Sequence, residues 1–169
     1  MSPRYLLLLG FVVLAVAIGV SACKDPRKGY APEQPIAFSH QLHAGTHEIP
    51  CGYCHVAAGE GPQASVPSLN ICMNCHSSVA TGRPEVQKLT QHWREGRPVE
   101  WIQVHDLPDH VLFSHQPHLA RGIDCSECHG QVNRMDVVEV VAPMTMGWCV
   151  NCHRQPEYNA PVDCFTCHY

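Results

Sequence analysis

The chain has 169 residues, of which 11 are Cys and 13 are His, while Asp, Glu, Lys and Arg together make up only 15%. A formal net charge of −4 excludes the nucleic-acid-binding proteins that depend on a basic face. The length fits one domain or two small ones. Once the cysteines are set aside, few apolar side chains remain for a core after residue 22, so we expect disulfides, metal ions or a bulky cofactor to fill the interior.

The first 22 residues are typical of an export signal. Arg4 precedes the apolar run Tyr5–Val20, which ends at the small residues Ser21 and Ala22. Cys23 follows in a context that resembles a bacterial lipobox, in which the cysteine is lipidated and becomes the mature N-terminus. The alternative is an uncleaved membrane anchor, although the apolar run is shorter than the roughly 20 residues that span a bilayer. Either interpretation places the rest of the chain outside the cytoplasm, at a membrane surface.

Residues 23–35 are polar and rich in proline, which is typical of a tether, and residues 36–169 contain the other ten cysteines. These cysteines form five copies of Cys-x-x-Cys-His, the attachment motif of c-type haem. The attaching cysteines are Cys51, Cys54, Cys72, Cys75, Cys125, Cys128, Cys149, Cys152, Cys164 and Cys167. The histidines that complete the motifs are His55, His76, His129, His153 and His168.

The spacing within each motif has a chemical reason. Two thiols three positions apart can form thioether bonds with the two vinyl groups of one haem, and the following His can coordinate the iron. A zinc ribbon uses Cys pairs two at a time and needs no His after each, and a disulfide scaffold needs no His at all. Five copies with His in the same position therefore predict five covalently bound haems c, each with its iron.

A second repeat supplies histidines for the opposite side of each iron. Segments 38–43 and 113–118 both read Phe-Ser-His-Gln-x-His, and each precedes two attachment motifs. Because residues i and i+3 of a helical turn lie on one side, each pair of histidines can reach two neighbouring haems. We therefore predict four distal ligands, in two repeated two-haem units: His40, His43, His115 and His118.

The fifth motif lies outside this duplication and needs a ligand of its own. His105 is the predicted ligand, because it follows apolar residues and lies between the two units, and His110 is the main alternative. Met144 or Met146 could instead form a His/Met haem of higher potential, although we expect both to pack against haem.

Regular structure is expected to be sparse, with the attachment motifs on short helical turns. The apolar spacing predicts a helix over 84–95 that ends at Gly96, and residues 137–141 could be a short strand or a partner-facing patch. His47 and His92 are expected to be solvated or to lie at haem edges. The fold class predicted is a small multihaem c-type cytochrome, mostly coil with short helices, little or no sheet and a haem-filled core.

The five motifs in this order, the two doublets and the stretch Trp101–Pro108 resemble the pentahaem cytochrome c subunit of alternative complex III, a bacterial quinol oxidoreductase. The resemblance covers most of residues 36–169, and the doublets alone are shared more distantly with c3- and c7-type cytochromes. It implies an electron-transfer subunit, not a catalyst on its own, at the periplasmic face of the inner membrane. Its implied partners are an iron–sulfur protein, polytopic quinol-oxidising subunits, and a periplasmic cytochrome c, similar carrier or terminal oxidase as acceptor. The lipobox-like Cys23 departs from the membrane-spanning N-terminus that members of this family often carry.

Three alternative functions remain open at this point. A multihaem subunit of a quinone reductase complex would carry electrons in the opposite direction. A free-standing periplasmic shuttle of the c3 or c7 type has less need for a membrane anchor. A reductase enzyme needs one iron with a vacant position, whereas five candidate distal ligands match five irons here.

Overall fold

The computed structural model describes residues 27–169, so the predicted export signal, Cys23 and the start of the tether lie outside the described residues. This part of the chain contains seven short α-helices: α1 (Cys51–Cys54), α2 (Leu69–His76), α3 (Pro84–Glu95), α4 (His115–Ala120), α5 (Cys125–His129), α6 (Met146–His153) and α7 (Cys164–Cys167). A π-helical turn (Gln41–Thr46) and two 3-10 turns (Val56–Gly59 and Val132–Arg134) complete the regular structure.

The predicted fold class is confirmed. Between residues 27 and 169 there is no strand, and an isolated antiparallel bridge joins Val111 to His168. Over the same residues, no helix combines the length and the apolar character needed to cross a bilayer. Coil and short helices therefore make up this domain.

The helix predicted over 84–95 is confirmed with the same bounds. Pro84 lies in its first turn, where its missing N–H is not needed, and Gly96 ends it in the left-handed conformation at φ 62°. The helix buries Val86 and Leu89. Leu89 belongs to a small apolar cluster that also contains Ile36 and faces α2. This cluster fixes α3 beside the second attachment motif.

The attachment motifs lie on short helical turns, as predicted. Three of these turns begin with a side-chain cap: Asp124 accepts the N–H of Ser126 at 2.8 Å, Thr145 that of Trp148 at 3.3 Å, and Asp163 that of Thr166 at 3.1 Å. Hydrogen bonds from the Ser126 hydroxyl and N–H hold the pKa of Asp124 below its usual value. Such caps satisfy amide groups that a one-turn helix cannot pair internally.

The side-chain core is small. Within residues 27–169, six apolar residues are buried, namely Ile36, Val86, Leu89, Val99, Val140 and Ala142, whereas fifteen large apolar side chains are more than a third exposed. A domain of this size needs more buried apolar surface than six side chains supply, or another group that covers its apolar side chains. A small buried core together with many exposed apolar side chains is what a haem-filled interior requires.

Residues 137–141 form neither a strand nor a wholly exposed patch. The backbone of Val140 pairs with the expected tether: Gly29 donates to the Val140 carbonyl at 2.7 Å, and the Val140 N–H donates to Tyr30 at 3.1 Å. Val140 is only 3% exposed, while Val137 is exposed. The sequence pattern did not distinguish these environments because the covering segment lies more than 100 residues away in the chain.

The two repeated units meet where the π-helical turn crosses segment 132–136. The Gln41 N–H donates to the Met135 carbonyl at 2.9 Å, and the Ser39 hydroxyl donates to Asp136 at 2.5 Å. Gly45 packs directly against the Asn133 carbonyl, where an added Cβ would overlap the oxygen. Gly45 is therefore required for this close approach.

Replacing Gly45 with Ala is expected to destabilise the haem-loaded protein by about 1–3 kcal/mol, because the new methyl group forces two backbone segments apart. Denaturant unfolding of the purified protein measures this difference. Gly147→Ala is the matched control, since Gly147 is helical and its added Cβ meets nothing within 4 Å. Equal stability of both variants would contradict the assigned role of Gly45.

Candidate haem-binding sites

We number the sites by their attachment motifs in chain order: site 1 (51–55), site 2 (72–76), site 3 (125–129), site 4 (149–153) and site 5 (164–168). None of the ten cysteines of these motifs forms a disulfide. In each motif the two cysteines lie on one helical turn, on the side that residues i and i+3 share. Each turn therefore presents two thiols together, as thioether attachment to one haem requires.

Four attachment histidines face a second histidine across a gap. The ring centroids are 6.1 Å apart for His43–His76, 6.3 Å for His115–His129, 6.0 Å for His118–His153 and 5.6 Å for His110–His168. An imidazole nitrogen lies about 2 Å from a bound metal. Two imidazoles that coordinate one metal from opposite sides therefore have centroids about 6 Å apart. The four pairs fit an iron bound by two histidines.

At site 1 the distal candidate is His40, which lies near the attachment histidine His55. Burial, followed by the nearby His55 and His43, lowers the pKa of His40 to about 4. His40 is thus neutral at ordinary pH, which is the form that coordinates a metal. Its Nδ1 is buried and has no hydrogen-bond partner among the described residues.

The orientation of the rings also suits coordination. In seven of the histidines that face or belong to an attachment motif, Nδ1 lies 2.7–3.3 Å from a backbone carbonyl: His43 to Ser39, His55 to Ser65, His76 to Val79, His115 to Pro62, His118 to Ser114, His153 to Pro161 and His168 to His110. With the proton on Nδ1 donated to the carbonyl, the lone pair of Nε2 remains available for iron. Metal-binding histidines are fixed in this way in general.

Phe38 and Phe113 take part in the sites, although the sequence patterns alone did not assign them a role. The Phe38 ring lies 4.8 Å from that of His40 and 4.3 Å from that of His43. Phe113 repeats this arrangement, at 4.8 Å from His115 and 4.9 Å from His118. Each Phe therefore holds the two histidines of its doublet, and its place in the repeated Phe-Ser-His pattern was the available signal.

His105, the predicted ligand of site 5, lies beside site 3. Its ring stands edge-on to that of His129, with centroids 4.4 Å apart, too close for one metal ion between them. Its Nε2 is buried without a hydrogen-bond partner. Burial, followed by His105 and His115, lowers the pKa of His129 to about 4. The ring that faces His168 is that of His110, at 5.6 Å and nearly parallel.

The remaining candidates lie outside these pairs. Met146 is 70% exposed, and Met144, at φ 43°, lines a cavity of about 210 Å³ together with His105. His47 is exposed, and the Nδ1 of His92 lies within hydrogen-bond distance of the backbone carbonyls that follow α3. Neither His47 nor His92 has a ring contact with an attachment histidine among the described residues.

Thiol pairs on helical turns, histidines that face each other at metal-binding distance and a sparse core together define a multihaem c-type cytochrome. Residues 111–169 match the profile of the family described as cytochrome c7 and related cytochrome c. The chain is also similar to the multihaem cytochrome c subunit of menaquinone reductase from Nitratidesulfovibrio vulgaris strain Hildenborough, with 31% identity over 94% of this chain and 88% of that subunit. The chain belongs to this family of multihaem cytochromes c, which transfer electrons through haem c and its iron.

Proposed function

We propose that this chain carries five haems c and relays electrons between the membrane quinone pool and a periplasmic carrier, as a subunit of a quinone-linked oxidoreductase complex. The pairing of each attachment histidine with a second histidine carries this proposal. When bound, each haem accepts and releases one electron at its iron, while the protein sets its potential through ligands, hydrogen bonds and burial. With two histidines of the chain at each site, a bound iron would have no free position for a substrate, which argues against a reductase enzyme.

Two proposals follow for the setting of the protein. The anchor is a lipid on Cys23 or the apolar segment before it, at the periplasmic face of the inner membrane. The partners are an iron–sulfur protein and polytopic subunits that bind the quinone. The similarity to a menaquinone reductase subunit supports such a complex, whereas a free-standing shuttle needs neither partner.

Purification of the detergent-extracted native protein tests this assignment. We expect integral membrane subunits to copurify and the haems of that complex to exchange electrons with a menaquinone analogue. Reduction of the haems by the quinol indicates the alternative complex III direction, and oxidation of reduced haems by the quinone indicates the reductase direction. A protein that purifies alone, with haems inert toward both forms, contradicts the proposal.

At site 5 we propose His110 as the distal ligand in place of His105. The support is the 5.6 Å separation of the His110 and His168 rings. The Val111–His168 bridge and the hydrogen bond from the Leu112 N–H to the Cys167 carbonyl at 2.8 Å hold the two segments together. His105 instead packs against the His129 ring.

His110→Ala is expected to convert one haem in five to the high-spin form, because its iron loses one axial nitrogen. Electron paramagnetic resonance and carbon monoxide binding measure the change. His105→Ala, the control, is expected to leave all haems low-spin. High-spin iron in His105→Ala together with an unchanged spectrum in His110→Ala would return the assignment to His105.

A further inference from the structure

We infer that the five haem sites form one unbranched row in the order 2–1–3–4–5, with site 2 at one end and site 5 at the other. This inference rests on the proposed presence of a haem at every site. The order differs from that of the motifs in the chain, because site 1 lies between sites 2 and 3. Contacts between the residues of successive sites establish each step.

Sites 2 and 1 are neighbours through both their motifs and their distal ligands. Within the motifs, the Asn74 side chain donates to the Tyr53 hydroxyl at 3.2 Å. On the distal side, the Phe38 ring contacts both His40, which serves site 1, and His43, which serves site 2.

Sites 1 and 3 are joined by the loop 61–65. The attachment histidine of site 1, His55, donates to the Ser65 carbonyl at 2.7 Å. The distal histidine of site 3, His115, donates from its ring to the Pro62 carbonyl at 2.7 Å. After burial, the Cys51 thiol is the leading cause that raises the pKa of Cys125. Ligands of two different units therefore depend on one short loop.

Sites 3 and 4 share the second doublet. The Phe113 ring contacts both His115 and His118, whose rings face the attachment histidines of sites 3 and 4. The two sites are therefore adjacent in the same way as sites 2 and 1.

Sites 4 and 5 are joined just before the last motif. The ring of His153 donates to the Pro161 carbonyl at 2.7 Å, three residues before Cys164. Burial and then the Cys167 thiol raise the pKa of Cys149. Across residues 27–169, no hydrogen bond or ring contact joins site 2 to sites 3, 4 or 5, site 1 to sites 4 or 5, or site 3 to site 5. The row therefore has two ends, at sites 2 and 5. External electron donors and acceptors must exchange electrons with the haems at these two ends.

Proton NMR of the fully reduced, full-length protein tests the order, because nuclear Overhauser effects connect the methyl groups of haems that lie edge to edge. Each haem is assigned by the shift of its signals in a single distal variant, such as His43→Met for site 2 and His118→Met for site 4. We expect interhaem effects for the pairs 2–1, 1–3, 3–4 and 4–5. Effects between site 2 and site 3, 4 or 5 would overturn the order.

A second measurement does not depend on the distances between methyl groups. In redox titrations followed by NMR, His43→Met at the end of the row is expected to shift the midpoint potential of its own site 2 and, among the other sites, that of site 1 alone. The matched interior variant, His115→Met, is expected to shift the potential of its own site 3 and those of sites 1 and 4. An end variant that shifts two or more other sites contradicts the row, whereas a protein without covalently bound haem contradicts the proposed function itself.

Discussion

Replacing His118 with Met is expected to raise the potential of the haem at site 4 by a sizeable part of the roughly 0.8 V that axial ligands span. His118 faces His153 at 6.0 Å, and its Nδ1–H donates to the Ser114 carbonyl at 2.7 Å, so its Nε2 would be available to an iron between the two rings. A thioether is a weaker electron donor than imidazole and stabilises the reduced iron. The site remains six-coordinate, so a potential change without high-spin iron is the distinguishing result.

Potentiometric titration of the haem absorption bands measures this effect, with one-fifth of the signal moving to higher potential. His92→Met is the matched control, because His92 is also a half-buried histidine with Nδ1 near backbone carbonyls. Among the described residues, its ring contacts no attachment histidine. Its titration should match that of the unaltered protein. An unchanged titration of His118→Met would exclude His118 as an axial ligand.

The second large effect is expected on removal of all haems. A full-length chain produced without haem attachment should lack a cooperative folding transition, because six buried apolar side chains cannot offset the conformational entropy of a domain this size. Attached haems would cover many of the fifteen exposed apolar side chains. They would also link helical turns as short as the four residues of α1 and α7.

Amide hydrogen exchange and far-ultraviolet circular dichroism of the haem-free chain test this expectation against the haem-loaded protein. We expect near-complete loss of protection, including in α3, whose packing partners lie beside site 2. A haem-free chain that unfolds cooperatively at the same denaturant concentration would contradict a haem-dependent core.

The sequence predicts what depends on short-range spacing. The helical turns of the attachment motifs, the limits of α3 and the sparse regular structure follow from residue types a few positions apart, and the structure confirms them. The sequence did not predict which attachment histidine faces His43, His115 or His118. The repeated doublet limited each of these three to the two attachment motifs of its own unit.

Features that depend on distant segments could not be predicted in this way. His105 and His110 are both near the middle of the chain, and the contact that distinguishes them is a bridge from Val111 to His168, 57 residues later. The order of the sites depends on the loop 61–65, whose carbonyls bind a histidine from each unit. Every residue has a backbone carbonyl, so the residue types in the motifs could predict neither the bridge nor the hydrogen bonds of this loop.

The intact mass of the natively matured protein, together with a pyridine haemochrome assay, tests the central claim most directly. We expect the mass of the processed polypeptide plus five haems, all retained under denaturing conditions. A smaller number of retained haems, or a polypeptide mass with no added porphyrin, would contradict the proposal. In that proposal every Cys-x-x-Cys-His motif attaches one haem, and two histidines bind its iron.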